Sequence, residues 1–375
     1  MTETREPAVA RLRDAVLAAA ASGGVLHARG GGSKDGLGGT PRGEPLATLE
    51  HAGIVDYDPA ELVVTVRAGT PLAELQAELA AHGQMLPFEP PDWPGATVGG
   101  MVACGLAGPR RAFVGGVRDA LLGVRLLDGQ ARVLQFGGRV MKNVAGFDLF
   151  RPQAGAWGRL GLLLELSFRL LPQPQAERTL ALPMAAEAAI EQLNRLAGQP
   201  LPMSGAAWFD GQALLRLSGS AVGVDAACRQ LAGEGWDAVD AVTATAIWQA
   251  LRRQELPGAD RSDKAAVPLW RLVLPGTAEP VPGTRCIDWC GALRWIDDAA
   301  HGQGRPAGAA TSVGASTHPL QRLAASLGGH ATPWRDHPAR ALTVSLDPAR
   351  LLLHRRLFEV FDPHGVFANG RLGIA

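Results

Sequence analysis

Four glycine-dense segments, set between stretches of ordinary periodic sequence, restrict this chain more than any other feature. They are "LHARGGGSKDGLGG" (26–39), "PFEPPDWPGATVGGMVACGLAGPRR" (87–111), "GGRVMKNVAGFDLFRPQAGAWGRLG" (137–161) and "FDPHGVFANGRLG" (361–373). Glycine lets the backbone take positive φ and approach another group closely. A chain with 47 glycines and 27 prolines in 375 residues is rich in turns, which argues against a bundle of long helices. The first segment places six glycines, Arg29 and Lys34 within fourteen positions. Two phosphate motifs fail there. A P-loop needs glycine before its lysine, where Ser33 stands. A dinucleotide fingerprint from Gly30 and Gly32 needs glycine where Asp35 stands. Consecutive N–H groups of such a loop can still converge into an anion-binding nest, with Arg29 and Lys34 adding charge. The same residues would also suit a solvated surface loop. Taken together, the four segments suggest an extended ligand running along several loops.

Length predicts two or three domains with ample buried core. Lys plus Arg and Asp plus Glu both number 36, a balance that argues against a nucleic-acid binder or a polybasic membrane clamp. The cysteines, Cys104, Cys228, Cys286 and Cys290, form no C-x-x-C, so zinc-ribbon and iron–sulfur spacings are missing from the sequence. Each reads as a buried reduced thiol. "MTETREPAVARLRDAV" has no apolar signal core, and the apolar run "GLLLEL" is too short to span a membrane. A soluble, intracellular protein is expected.

Residues 7–22 read as a helix with Val9, Leu12, Val16 and Ala20 on one face and Gly23 as its stop. "VLHAR" and "ELVVTVRAG" read as strands. "TPLAELQAELAAHG" reads as a helix capped by Thr70, with Pro71 in its first turn, a stripe of Leu72, Leu75 and Leu79, and Gly83 at its end. "LLGVRLLDGQARVLQFGG" is a hairpin signal turning at Asp128-Gly129. "LGLLLELSFRLL" alternates as a half-buried strand, "RCIDWCGALRW" reads as strand, and "PQPQAE" reads as a linker. From about 176 to 345 helical and strand patterns alternate without a chemical motif. Asp347-Pro348 then opens a last helix, stopped by Asp362-Pro363.

The ordered set "ARGGGSK", "TVRAGTPLAEL", "PPDWPGATVGGMVA", "RVMKNVAGFDLFRPQAGAWGRLG" and "FDPHGVFANGRL" resembles the FAD-linked oxidases of the vanillyl-alcohol oxidase and p-cresol methylhydroxylase type. Within that family it is most similar to the FAD-binding subunits of bacterial glycolate oxidases. The resemblance is dense over 25–172 and again from about 347. It implies an α+β fold, with a two-subdomain FAD-binding domain at 1–175, a smaller α+β cap domain at 176–345, and a C-terminal return at 346–375. It implies FAD held by Arg29, Gly30, Gly31, Gly32, Ser33 and Lys34 at the pyrophosphate. Pro87, Ala96, Thr97, Val98, Gly99 and Gly100 would approach the flavin and phosphates, with Cys104 and Gly105 behind. Gly155, Gly158 and Leu160 would follow the adenosine half, and Asn369 and Arg371 would close over the ring.

Because Ser33 and Lys34 follow the glycines, where covalently flavinylated relatives often carry histidine, FAD is expected to be non-covalent. His27 reads as a packed strand residue. His301, His318, His330 and His337 lack the close spacing of the metal pair in related hydroxy-acid dehydrogenases, so no metal is expected. Ala156-Trp157 replaces the family's usual Ser-Glu pair, and "ANGR" its usual Asn-Pro-Gly. No catalytic residue is assigned.

Lys142, Asn143 and Asp148 are candidates for substrate or for hydrogen bonding within their loop. Arg110 and Arg111 are candidates for a phosphate, a partner or solvated surface. Trp93 could cover the flavin or pack on the prolines. The resemblance implies oxidation of glycolate, a small 2-hydroxy acid, to glyoxylate. It also implies a sister FAD-containing catalytic subunit and an iron–sulfur subunit as partners, with a cytoplasmic location at the inner face of the membrane through them. A non-catalytic FAD-binding scaffold and a free-standing alcohol or sugar oxidase are the alternatives.

Overall fold

The computed structural model describes residues 6–138, 148–257, 269–297, 318–334 and 346–371. They form two compact units. The first is 1–108, 114–173 and 346–375; the second is 109–113 and 174–345.

In the first unit, helix Pro7–Ser22 turns Val9, Leu12, Val16 and Ala19 inward and ends at Gly23, whose φ is +68°. It packs with the parallel strands Leu26–Arg29 and Glu44–Ala47 into one core, which Val366 and Phe367 complete from the far end of the sequence. A second core lies against an antiparallel five-stranded sheet. Its order is Ile54–Asp58, Val63–Arg67, Leu162–Arg169, Leu121–Leu127, Val133–Gly137.

Leu162–Arg169 is central, not half-buried as its alternation suggests. Ser167 is 7% exposed because its hydroxyl meets Thr65 Oγ1 at 2.8 Å on the neighbouring strand. Helix Leu72–Ala81 buries the expected leucines, but Thr70 does not cap it. The Thr70 hydroxyl accepts from Gly53 N at 2.9 Å and donates to Arg67 O at 2.7 Å. The 121–137 hairpin also turns differently. Positive φ falls on Ala131, and the Asp128 carboxylate accepts from the N–H groups of Gln130 and Arg132. Gly129 is small for another reason: a Cβ there would lie 2.2 Å from Asp362 Oδ1.

In the second unit, the described strands form an antiparallel eight-stranded sheet. Two cores flank it, one around Leu215 and Trp236, the other around Trp270 and Leu272. "RCIDWCGALRW" is a hairpin, not a strand: Thr284–Asp288 and Leu293–Asp297 are joined by a tight turn in which Trp289, Cys290 and Gly291 all have positive φ. All four cysteines are free; Cys286 and Cys290 are buried, Cys104 and Cys228 only partly. Arg110 is not solvated surface. It is 7% exposed and donates to Glu177 and Ser218, both at 3.1 Å. Among the described residues, no helix is long and apolar enough to cross a membrane.

Candidate active site: a glycine-lined anion cradle

Strand Leu26–Arg29 delivers the loop Gly30–Lys34 to the edge of a cavity in the first unit. The opposite wall is the turn Gly95–Thr97 and the short helix Val98–Cys104 that follows it. The two backbones touch. A Cβ on Gly31 would sit 2.1 Å from Gly95 O, and one on Gly30 would sit 2.5 Å from Thr97 Oγ1. Thr97 is therefore fixed from both sides, and its hydroxyl also accepts from Gly100 N at 3.2 Å. Among the described residues, the N–H groups of Gly30, Gly31, Gly32 and Ser33 have no hydrogen-bond acceptor. Unmatched backbone donors in a glycine loop suit an anion.

Two cations join them. Lys34 is 8% exposed, its Nζ donates to Ser33 Oγ at 3.1 Å, and it stands over the Trp93 ring at 5.5 Å. Arg371 is 9% exposed, and its NH1 donates to Leu37 O. The Arg29 guanidinium, by contrast, is paired with Asp35 at 2.8 Å. The lining also has an apolar part, Ala28, Ala68, Ala103, Trp157, Leu162 and Leu163. A dinucleotide with a diphosphate and a planar ring fits this division of polar donors and apolar surface.

Arg29, Gly30, Gly31, Gly32, Ser33, Lys34, Thr97, Gly99, Gly100, Cys104, Gly158 and Arg371 are brought together on the cavity wall. Val98, Ala96 and Leu160 lie behind it in the core, and Pro87 is buried near Phe88. Gly105 and Gly155 back onto each other, a Cβ on Gly105 lying 3.0 Å from Gly155 N. Asn369 braces the wall: its Nδ2 donates to Trp157 O and its Oδ1 accepts from Arg371 N, both at 3.0 Å.

Sequence reasoning missed Thr48, Ala68, Gly95 and Trp157 as lining residues. Thr48 and Ala68 gave no signal, Gly95 lay in a glycine-dense segment, and Trp157 stood out as a departure from the family pattern. It has φ +53° and packs its ring 3.1 Å from where a Cβ on Gly38 would stand. Trp93 is buried beneath Lys34 rather than on the cavity wall. Asp148 pairs with Arg151 at 3.0 Å within its own segment. Lys142 and Asn143 lie outside the described residues, as do His301 and His337. His318 caps helix Pro319–Ser326 and stacks on Trp270. Donor atoms of Glu6, His51 and Glu165 lie within 4.8 Å of one another, but Arg125 bonds to both carboxylates and supplies the cation there.

Protein packed around the Cys104 thiol pushes its pKa up to about 11, against smaller pulls from Lys34 and Arg371. At pH 8 roughly one thiol in a thousand is then ionised, and the thiolate is the reactive form. Iodoacetamide at pH 8 should leave Cys104 unmodified in the folded protein and alkylate it in urea, read by peptide mass spectrometry. Labelling at the rate of a free cysteine would contradict this environment.

Residues 8–137 match the family described as FAD binding domain. The chain is 41% identical over 350 residues to the glycolate oxidase subunit GlcE of Escherichia coli, covering 92% of each protein. The chain belongs to this family of FAD-linked oxidoreductases. A D-lactate dehydrogenase of Archaeoglobus fulgidus is 31% identical over 179 residues, 47% of this chain and 40% of that protein. The Bacillus subtilis glycolate oxidase subunit GlcD is 29% identical over 127 residues, 34% of this chain and 27% of that protein. An alkyldihydroxyacetonephosphate synthase structure superposes with a TM-score of 0.60 at 14% identity, covering 95% of this chain and 73% of that one. That likeness shows the shared fold.

Proposed function

We propose that this chain is the FAD-binding subunit of a glycolate oxidase complex, working in the oxidation of glycolate to glyoxylate. The observation that carries this reading is the match to GlcE across nearly the whole of both proteins. The cradle of unpaired N–H groups, Lys34 and Arg371 supports it independently. Bound FAD supplies the two-electron acceptor. This chain's residues hold its diphosphate, fix its ring against an apolar wall and limit water there. FAD is non-covalent, because Ser33 and Lys34, not histidine, follow the loop glycines.

The partners are a sister FAD-containing subunit and an iron–sulfur subunit. The four cysteines of this chain have no cluster spacing, so onward electron transfer falls to another chain. The complex works in the cytoplasm, and any association with the inner face of the membrane is made through the partners. Ala156-Trp157, in place of the Ser-Glu pair usual in the family it resembles, favours a second reading in which the chain binds FAD and supports a catalytic sister.

The purified chain should be yellow, and acid or heat should release intact FAD into the supernatant. Anaerobic glycolate should bleach its visible absorbance. Bleaching only after the sister subunit is added would select the scaffold reading. A colourless protein that no added FAD restores would remove the cofactor assignment.

A further inference from the structure

One acidic side chain lines the cavity of the first unit. Among the described residues on its wall, Arg29, Lys34 and Arg371 are cations and Asp35 is the only carboxylate. A carboxylate repels the anion such a cavity would hold, so it weakens binding unless it acts on a neighbour. Asp35 does not complete a core, since its side chain is 47% exposed and that of Arg29 is 51% exposed.

The loop holds Asp35 in place. Its N–H donates to Gly32 O at 3.1 Å, which turns the backbone over the glycines. Its Oδ2 accepts from Arg29 Nε at 3.1 Å and from Arg29 NH2 at 2.8 Å. Both members of the pair lie against Gly32, whose φ is +76°. A Cβ there would be 2.9 Å from Arg29 NH2 and 3.1 Å from Asp35 Oδ2. The pair therefore borders the run of N–H groups, Gly30 to Ser33, that have no acceptor among the described residues. Asp35 Oδ1 also lies 4.0 Å from Arg371 NH2. Arg371 does not depend on that contact, because its NH1 donates to Leu37 O and its backbone N–H to Asn369 Oδ1.

Charge decides what the pair does. Arg29 and Asp35 cancel, so the cradle presents the charges of Lys34 and Arg371, a net +2. The diphosphate of a dinucleotide carries two negative charges. A lone Arg29 would raise the cradle to +3, and a lone Asp35 would lower it to +1.

We propose that Arg29 and Asp35 form a charge-setting pair for the cofactor, in which Asp35 holds the Arg29 guanidinium off the diphosphate and Arg29 screens the diphosphate from the Asp35 carboxylate. Asp35 is the positioning residue of the pair, and Arg29 is its counter-ion rather than a ligand of the anion. The pair restrains the affinity of the cradle: the diphosphate is matched in charge, and its binding comes from the loop N–H groups, Lys34 and Arg371. The proposal rests on this cavity being the FAD site, and it is independent of the substrate oxidised.

FAD titrated into the flavin-depleted full chain tests this, read by quenching of flavin fluorescence. Where depletion unfolds the chain, the loaded chain dialysed against graded FAD gives the same constant. Asp35→Asn keeps the shape of the side chain and removes its charge. It should bind FAD about three- to fivefold more tightly, the size of a partly exposed charge–charge interaction. Arg29→Gln leaves the carboxylate uncompensated and should bind FAD about three- to fivefold less tightly. The double variant should return to within about 1.5-fold of wild type, because the two changes are coupled and the pair as a whole is neutral. The gain in Asp35→Asn should shrink at high salt, since exposed charges are screened.

An Asp35→Asn variant that binds FAD no more tightly than wild type would overturn the pair. A double variant as weak as Arg29→Gln would make Arg29 a direct ligand of the diphosphate and overturn it equally. Gly31→Ala, which forces the loop against Gly95 O, separates the pair from the cavity assignment. Flavin lost in Gly31→Ala, with wild-type affinity in all three pair variants, keeps the site and drops the pair. Flavin kept in Gly31→Ala, with wild-type affinity in all three, drops the site itself.

Discussion

Gly31→Ala, a change of one methyl group, should strip most of the flavin from the protein. The new carbon would lie 2.1 Å from Gly95 O, and both partners are backbone, so no side chain can swing aside. The loop or the Gly95–Thr97 turn must move, and each carries part of the cradle. Overpacking of this kind costs about 1–3 kcal/mol, and any shift of the loop N–H groups adds a loss of ligand affinity. Flavin content after gel filtration should fall at least about tenfold, and added FAD should stabilise the variant far less than wild type. Gly138→Ala is the control, because its Cβ meets nothing within 4 Å and its φ is not in the left-handed region. Wild-type flavin content in Gly31→Ala would mean that this loop does not contact the cofactor.

The second large effect is expected at Asp362. Its carboxylate accepts from Val366 N and Phe367 N, both at 2.8 Å, in a region where Val366 and Phe367 are fully buried. Asp362→Ala leaves two buried donors unmet, at about 1–3 kcal/mol each. Loss of about 2–4 kcal/mol should lower the melting temperature by about 5–15 °C for a unit of this size. Asp362→Asn, which keeps one acceptor oxygen, should fall between. Because Phe367 leads directly to Asn369 and Arg371, flavin affinity should drop alongside stability. A destabilised variant that keeps its flavin would separate the tail from the cavity.

Much of this was legible in the sequence where one physical rule acted alone. The 3.6 periodicity of Val9, Leu12 and Val16, and of Leu72, Leu75 and Leu79, located two helices because burial on one face decides their placement. Glycine clustering located the cradle, since only backbone can come so close to backbone at Gly31 and Gly95. What stayed illegible depended on partners distant in sequence. Thr70 reads as a cap but spends its hydroxyl on Gly53 and Arg67. Gly129 reads as a turn glycine but is small because Asp362 packs on it from more than 200 positions away. Arg110 reads as a candidate for a phosphate, a partner or solvated surface, and only the folding of Glu177 and Ser218 beside it reveals a buried, paired arginine. Thr48 and Ala68 gave no local signal at all, because their role comes from where a strand happens to end.

The route of the chain through the first unit has a consequence for biosynthesis. Phe361, Val366 and Phe367 fill the unit's two cores, and Arg371 lines its cavity, yet residues 174–345 are made before any of them. At translation speeds of about 5–20 residues per second, the nascent first unit waits roughly ten to thirty seconds with both cores open. During that interval the apolar seams of the first unit are unsealed and its cavity lacks Arg371. Completion of the cavity wall therefore waits for a stretch of sequence made after the whole of the second unit.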